Sequence, residues 1–160
     1  MDFFASFLTP RRLRSIAAVA AVTIALPAFA SLGGDVTSVE SDRAHMAASV
    51  RVTQPSSNYS IHEIQSPEGT VIQEYVSPAG KVFAVTWRGQ FMPQMQQILG
   101  NYFAEYSAAL QAQPRRYGRR PLNIQRPDLV VQTGGQMRNY FGRAYVPGMM
   151  PRGVSTDEVR

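Results

Sequence analysis

The chain has no cysteine, two histidines and one tryptophan in 160 residues. Without thiols it can hold neither a disulfide framework nor a thiolate nucleophile. A zinc site needs three or four N, S or O ligands. His45 and His62 would have to be joined by carboxylates from distant segments, so no metal and no cofactor is expected. No G-x-S-x-G nucleophile motif occurs. The main apolar run, Ile16 to Leu26, holds only eleven residues, whereas a membrane helix takes about 20. Acid is scarce in the second half. Tyr106 to Arg160 carries 9 basic and 3 acidic residues, against 4 basic and 7 acidic from Ser31 to Glu105.

What is present first is an export signal. Arg11, Arg12 and Arg14 precede the apolar run, Pro27 ends it, and Ala28-Phe29-Ala30 is a small-x-small cleavage site. That order is the three-part pattern of a secretory signal peptide. No cysteine follows the cleavage site, so no lipid anchor is expected there. Residues 1–30 are therefore expected to be a signal peptide and 31–160 a single domain, periplasmic or secreted, with no transmembrane span after cleavage. Such a domain is large enough for a modest core and must hold together by packing alone. The basic second half suits an anionic partner. Export directs that expectation to lipid, lipopolysaccharide or acidic polysaccharide and away from nucleic acid.

Periodicity supplies the elements. Thr37-Ser38-Val39-Glu40 has capping-box spacing and predicts a short helix from Ser38 to Ala48. Ser49–Thr53 alternates as a strand, and Gln54–Asn58 is a turn cluster. Three strands follow, Tyr59–Gln65, Thr70–Val76 and Lys81–Trp87. Between them the same turn is written twice, as Ser66-Pro67-Glu68-Gly69 and Ser77-Pro78-Ala79-Gly80. Proline presets φ at the second turn position, and glycine supplies the left-handed residue that closes a three-residue hairpin loop with a bulge. Two such turns make an antiparallel meander.

Loop length also sets register. Three-residue loops put Ile61 beside Tyr75 and Tyr75 beside Phe83, on a face shared with Val85 and Trp87. On the other face they put Ile64 beside Ile72 and His62 beside Glu74. Two-residue loops would instead pair His62 with Gln73 and bring Glu63 and Glu74 to one face.

After Pro93, the residues Met95, Ile98, Leu99, Tyr102, Tyr106 and Ala109 recur at helical steps and predict an amphipathic helix to about Gln111. Residues 112–127 hold three prolines, five arginines and no acid, and read as a basic surface loop. Asp128–Thr133 and Gln136–Val146, with Gly134-Gly135 as the turn, predict a C-terminal hairpin. Ser155–Glu158 repeats the capping-box spacing. The expected fold class is α+β: one small domain, an antiparallel β-meander with one main amphipathic helix packed on it and a C-terminal β-hairpin.

Four stretches carry a resemblance: ASLGGD at the cleavage site, YSIHEIQSPEGTVIQEYVSPAGKVFAVTWRG, ILGNYFAEY, and DLVVQTGGQMRNYFGRAYVPGMMPRGVSTDEVR. Together they resemble the domain of unknown function 2844 family of exported bacterial proteins. The resemblance implies a small exported domain and assigns no activity or site.

Three constellations bear on chemistry. His62 beside Glu74 could orient an imidazole for a small hydrolase, which would also need a hydroxyl within reach. Gly134-Gly135 with Arg138 and Arg143 could bind an anion through backbone N–H groups and guanidinium forks. Arg115, Arg116, Arg119 and Arg120 around Tyr117 form a basic patch, which would make the segment Arg115–Arg126 a contact for an envelope polyanion. The leading expectation is a non-catalytic envelope protein that binds or assists an unidentified exported component. If the signal is read correctly, N-terminal sequencing of the periplasmic form begins at Ser31, and an intact Met1 in that fraction refutes it.

Overall fold

The computed structural model describes residues 32–35, 49–113 and 121–160. The expected signal peptide, the helix predicted over Ser38–Ala48, His45, and Arg115, Arg116, Tyr117, Arg119 and Arg120 lie outside the described residues. The elements are β1 (Ser49–Ser56), β2 (Tyr59–Gln65), β3 (Val71–Val76), β4 (Val82–Gly89), α1 (Met95–Leu99), a 3₁₀ turn at Gly100–Tyr102, α2 (Phe103–Ala112), β5 (Leu122–Gln125), β6 (Val130–Gln136) and β7 (Asn139–Tyr145). The seven strands form one antiparallel sheet in the order β1-β2-β3-β4-β7-β6-β5. The meander and the C-terminal hairpin are both present. They are fused through β4 and β7, so strands dominate and the α+β expectation fits only in part.

Both repeated turns close in the same way. The Gly69 and Gly80 amides donate to the Ser66 and Ser77 carbonyls at 2.9 Å, and both glycines have positive φ, 81° and 73°. Each serine hydroxyl also accepts the amide that ends its loop, Thr70 or Lys81, at 3.2 Å. These are three-residue loops, and they give the β2–β3 register expected of them: Ile61 with Tyr75, His62 with Glu74, Ile64 with Ile72.

The β3–β4 register departs from expectation. Val76 pairs with Val82, but Tyr75 pairs with Ala84, so Phe83 is the extra residue of a β-bulge. A one-residue slip sends every later side chain of the strand to the opposite face. Val85 and Trp87 thus join Ile64 and Ile72, and do not lie on the face of Tyr75. Phe83 and Ala84, although adjacent in sequence, both join Tyr59, Tyr75 and Val159 in a second cluster.

The main core lies between the sheet and the helix. Ile98, Leu99, Tyr106 and Ala109 are buried against Ile64, Ile72, Val85, Trp87, Ile124, Val131 and Ala144, with Met95 and Tyr102 partly buried beside them. That is the predicted helical stripe, although the helix starts at Met95 and breaks at Gly100, where φ is 48°. Leu32 is fully buried, and its amide donates to the Ile98 carbonyl at 3.0 Å. The Gly33 amide donates to the Val82 carbonyl, and Lys81 pairs with Asp35 at 3.5 Å. The segment just after the expected cleavage site is therefore built into the core.

Two more expectations are corrected in the C-terminal half. Residues 122–125, read as loop, form the edge strand β5, with Ile124 only 3% exposed. Gly134 and Gly135 lie inside β6, and the β6–β7 turn falls at Met137-Arg138, where Arg138 takes a left-handed φ of 63°. Pairing with β6 gives β5 the backbone hydrogen bonds that its four residues cannot make alone.

Gly142 is required by its neighbour. A Cβ there would overlap the Trp87 indole and approach the Gln132 carbonyl oxygen to 2.7 Å. The Trp87 Nε1–H finds no acceptor among the described residues, so the ring is held by packing alone. Gly142→Ala is expected to lower unfolding free energy by about 1–3 kcal/mol through overpacking, measured by denaturant titration.

Candidate functional site

The sheet face turned away from the helix carries one polar row that crosses all seven strands. Direct cross-strand partners share a face. The chain of partners is Arg51–Glu63, Glu63–Gln73, Gln73–Thr86, Thr86–Arg143, Arg143–Gln132 and Gln132–Asn123. The Phe83 bulge is what brings Thr86 into this row.

Hydrogen bonds run along the row in a defined sense. Arg143 Nε donates to Gln132 Oε1 at 2.8 Å, and Gln132 Nε2 donates to Asn123 Oδ1 at 3.5 Å. Thr86 Oγ1 donates to Gln73 Oε1 at 3.5 Å, and Gln73 Nε2 donates to Glu63 Oε2 at 2.8 Å. Arginine can only donate and an ionised carboxylate can only accept. Arg143 therefore fixes the orientation of Gln132 and through it Asn123, while Glu63 fixes Gln73. Every amide oxygen in the row is occupied by a neighbour. Besides a second lone pair on each oxygen, the groups left over on the amides are N–H donors, including both hydrogens of Asn123 Nδ2.

Over this row lies a groove of about 1180 Å³. Gln73, Thr86, Arg143, Gln132 and Asn123 line it, together with Arg88, Arg138, Phe141 and Arg160. No Asp or Glu is among the described residues that line it. Clefts lined by charge of one sign concentrate the field within them. Phe141 is 44% exposed, and its ring lies against Gly134, where a Cβ would meet it at 2.9 Å.

The chain's last residues close one end. Arg143 Nη1 donates to the Thr156 and Val159 carbonyls at 2.8 and 3.0 Å. Val159 is fully buried among Tyr59, Tyr75 and Phe83. The Tyr75 hydroxyl donates to the Arg160 carbonyl at 3.0 Å, and the Tyr59 hydroxyl donates to Glu158 Oε2 at 3.1 Å. Burial, then the Glu158 hydrogen bond and charge, raise the Tyr59 pKa above its ordinary value. The Ser155–Glu158 spacing holds a capped turn without a helix: the Ser155 amide donates to Glu158 Oε1 at 2.8 Å, and the Asp157 amide to Ser155 Oγ at 3.2 Å.

The groove brings together Gly134, Gly135, Arg138 and Arg143, the four residues singled out as an anion site. Asn123, Gln132, Gln73 and Phe141 join them and were not anticipated; alternating polar residues in three strands were the available signal. Pro121, also in the lining, directly follows Arg119-Arg120 in the chain. His62 and Glu74 stand on the opposite face. Glu74 is 2% exposed, and Ser60 Oγ lies 3.3 Å from His62 Nε2. Glu63 and Glu74 are on opposite faces, as their register requires. Among the described residues no three His, Asp or Glu side chains are gathered as a metal site, and no helix is long and apolar enough to cross a membrane.

A helix-backed antiparallel sheet with an arginine- and amide-lined groove is the class of structure defined here. Residues 28–159 match the family described as Protein of unknown function (DUF2844), and the chain belongs to that family. No curated protein and no solved structure matches it.

Arg143→Met removes three donated hydrogen bonds and frees the Gln132 amide to turn. A loss of about 2–4 kcal/mol is expected, read by denaturant unfolding, together with faster carboxypeptidase trimming of residues 155–160. Unchanged trimming would show that Val159 alone holds the tail.

Proposed function

We propose that this protein is an exported, non-catalytic binding protein of the cell envelope, whose groove takes an anionic group. The observation that carries the reading is the polarity of the row. Its amide oxygens each accept a bond within the row, its amides keep spare N–H donors, and the charged side chains among the described residues that line the groove are all arginines. Such a surface is complementary to a group that only accepts, such as a carboxylate, sulfate or phosphate. Periplasmic or secreted location rests on the Arg11–Ala30 signal pattern, and the α+β description on the helix that backs the sheet. The Arg115–Arg126 segment, of which Pro121 and Asn123 line the groove, is the basic stretch of sequence proposed to contact the polymer.

Asn123→Asp isolates this reading. It keeps the oxygen that Gln132 uses and replaces the two spare N–H donors by a second carboxylate oxygen. Asn123 is exposed, so the fold should tolerate the change. The wild-type protein is expected to bind inorganic phosphate, lipopolysaccharide or polygalacturonate in a way that weakens as salt rises, since exposed charges are screened over about 8–10 Å. Asn123→Asp should reduce that affinity at least about tenfold with the thermal midpoint unchanged. Replacement of Arg115, Arg116, Arg119 and Arg120 by serine, compared with Asn123→Asp, separates loop from groove. Equal binding by wild type and Asn123→Asp, or no salt dependence, refutes the groove.

A second reading draws on Ser60, His62 and Glu74. A hydroxyl 3.3 Å from an imidazole whose cross-strand neighbour is a carboxylate has the components of a hydrolase. Esterase activity lost in both Ser60→Ala and His62→Ala would favour it; no turnover of short acyl esters by the wild type would dispose of it.

A further inference from the structure

We infer that the groove's ligand is an acidic oligosaccharide laid across the strands, with Phe141 as the platform for one sugar ring. This rests on the anion-binding reading above and adds the class of molecule that bears the charge.

Three observations carry it. First, the donors are repeated. Gln73 on β3 and Arg143, Gln132 and Asn123 on the adjacent strands β7, β6 and β5 keep spare N–H groups facing the groove, and adjacent strands are about 4.8 Å apart. A site for one small anion needs donors converging on a point. These are spread in a line, at a spacing close to the length of one sugar residue in an extended chain, so they suit a polymer with a polar group on each repeat.

Second, the row next to the donors holds an aromatic ring. Phe141 is one step along β7 from Gly142 and two from Arg143, and it shares Arg143's face. It pairs with Gly134 on one side and Arg88 on the other. A ring that is 44% exposed in the groove, beside its amides and arginines, offers a π face to weakly positive C–H bonds. The axial face of a pyranose presents such bonds while its equatorial hydroxyls and carboxylate point to the sides, where the amides and Arg88, Arg138 and Arg143 stand.

Third, among the described residues the groove's lining holds one exposed aromatic and several amides. Proteins that hold single-stranded nucleic acid stack successive bases on several aromatic side chains. Here the other aromatic in the lining, Trp87, is buried on the helix side. A saccharide needs one ring to seat and many hydrogen bonds around it, which is the proportion present.

The test is calorimetric titration of the purified protein with four probes: oligogalacturonate, its fully methyl-esterified counterpart, an oligothymidylate of similar length, and inorganic phosphate. Oligogalacturonate is expected to bind at least about tenfold more tightly than the ester. Phe141→Ala should weaken oligogalacturonate by about tenfold, the scale of one aromatic contact, and leave phosphate binding unchanged. Phe141→Tyr, which keeps the ring, should retain both, and equal thermal midpoints for the two variants exclude a folding defect. Phosphate bound with oligogalacturonate no tighter leaves the anion groove standing and overturns the saccharide. An oligothymidylate preferred over oligogalacturonate overturns it in favour of nucleic acid. Failure of all the charged probes overturns the groove itself.

Discussion

One extra residue in β4 decides what both faces of this sheet can do. β4 lies between β3 and β7, and the bulge at Phe83 sets which of its side chains meet the helix. With it, Val85 and Trp87 close the dry core, and Thr86 and Arg88 face the groove. Without it, Trp87 would stand in the groove and Thr86 under the helix, because the side-chain period of a strand is two. The indole then needs a bare backbone on the neighbouring strand, which Gly142 provides.

The two faces are held by different forces. The helix side is mostly apolar, with the Glu74 carboxylate buried on it, and its largest ring has no hydrogen bond among the described residues. Polar contacts organise the opposite side, and a donor-only and an acceptor-only residue give them direction. Arg143 does two jobs there with one guanidinium. Its Nε orients the Gln132–Asn123 arm, and its Nη1 holds the C-terminal residues that close the groove. Binding surface and tail are thus parts of one network, and hydrogen bonds to a charged group are the stronger kind.

Local chemistry was legible in the residues. Ser-Pro-x-Gly written twice states its turn type, the turn type states the loop length, and the loop length states that His62 meets Glu74. The helical stripe was legible for the same reason, since residues three and four apart are neighbours wherever the helix sits. The β6–β7 turn was misplaced because Gly134-Gly135 has the composition of a turn, whereas the chain turns at Met137-Arg138 and spends a left-handed conformation on arginine. β5 was missed because four residues with two apolar positions make no pattern until β6 pairs with them.

The residues alone therefore determined the meander, its first register, the amphipathic helix and the basic character of the second half, all of which depend on neighbours within a few positions. Tertiary structure alone decided the groove. Its five polar row members lie in β3, β4, β5, β6 and β7 and become neighbours only because β7 inserts between β4 and β6. That choice is made by burial of Trp87, Val131 and Ala144 beneath the helix, a nonlocal apolar demand that leaves no mark on the spacing of the polar residues it aligns on the other side.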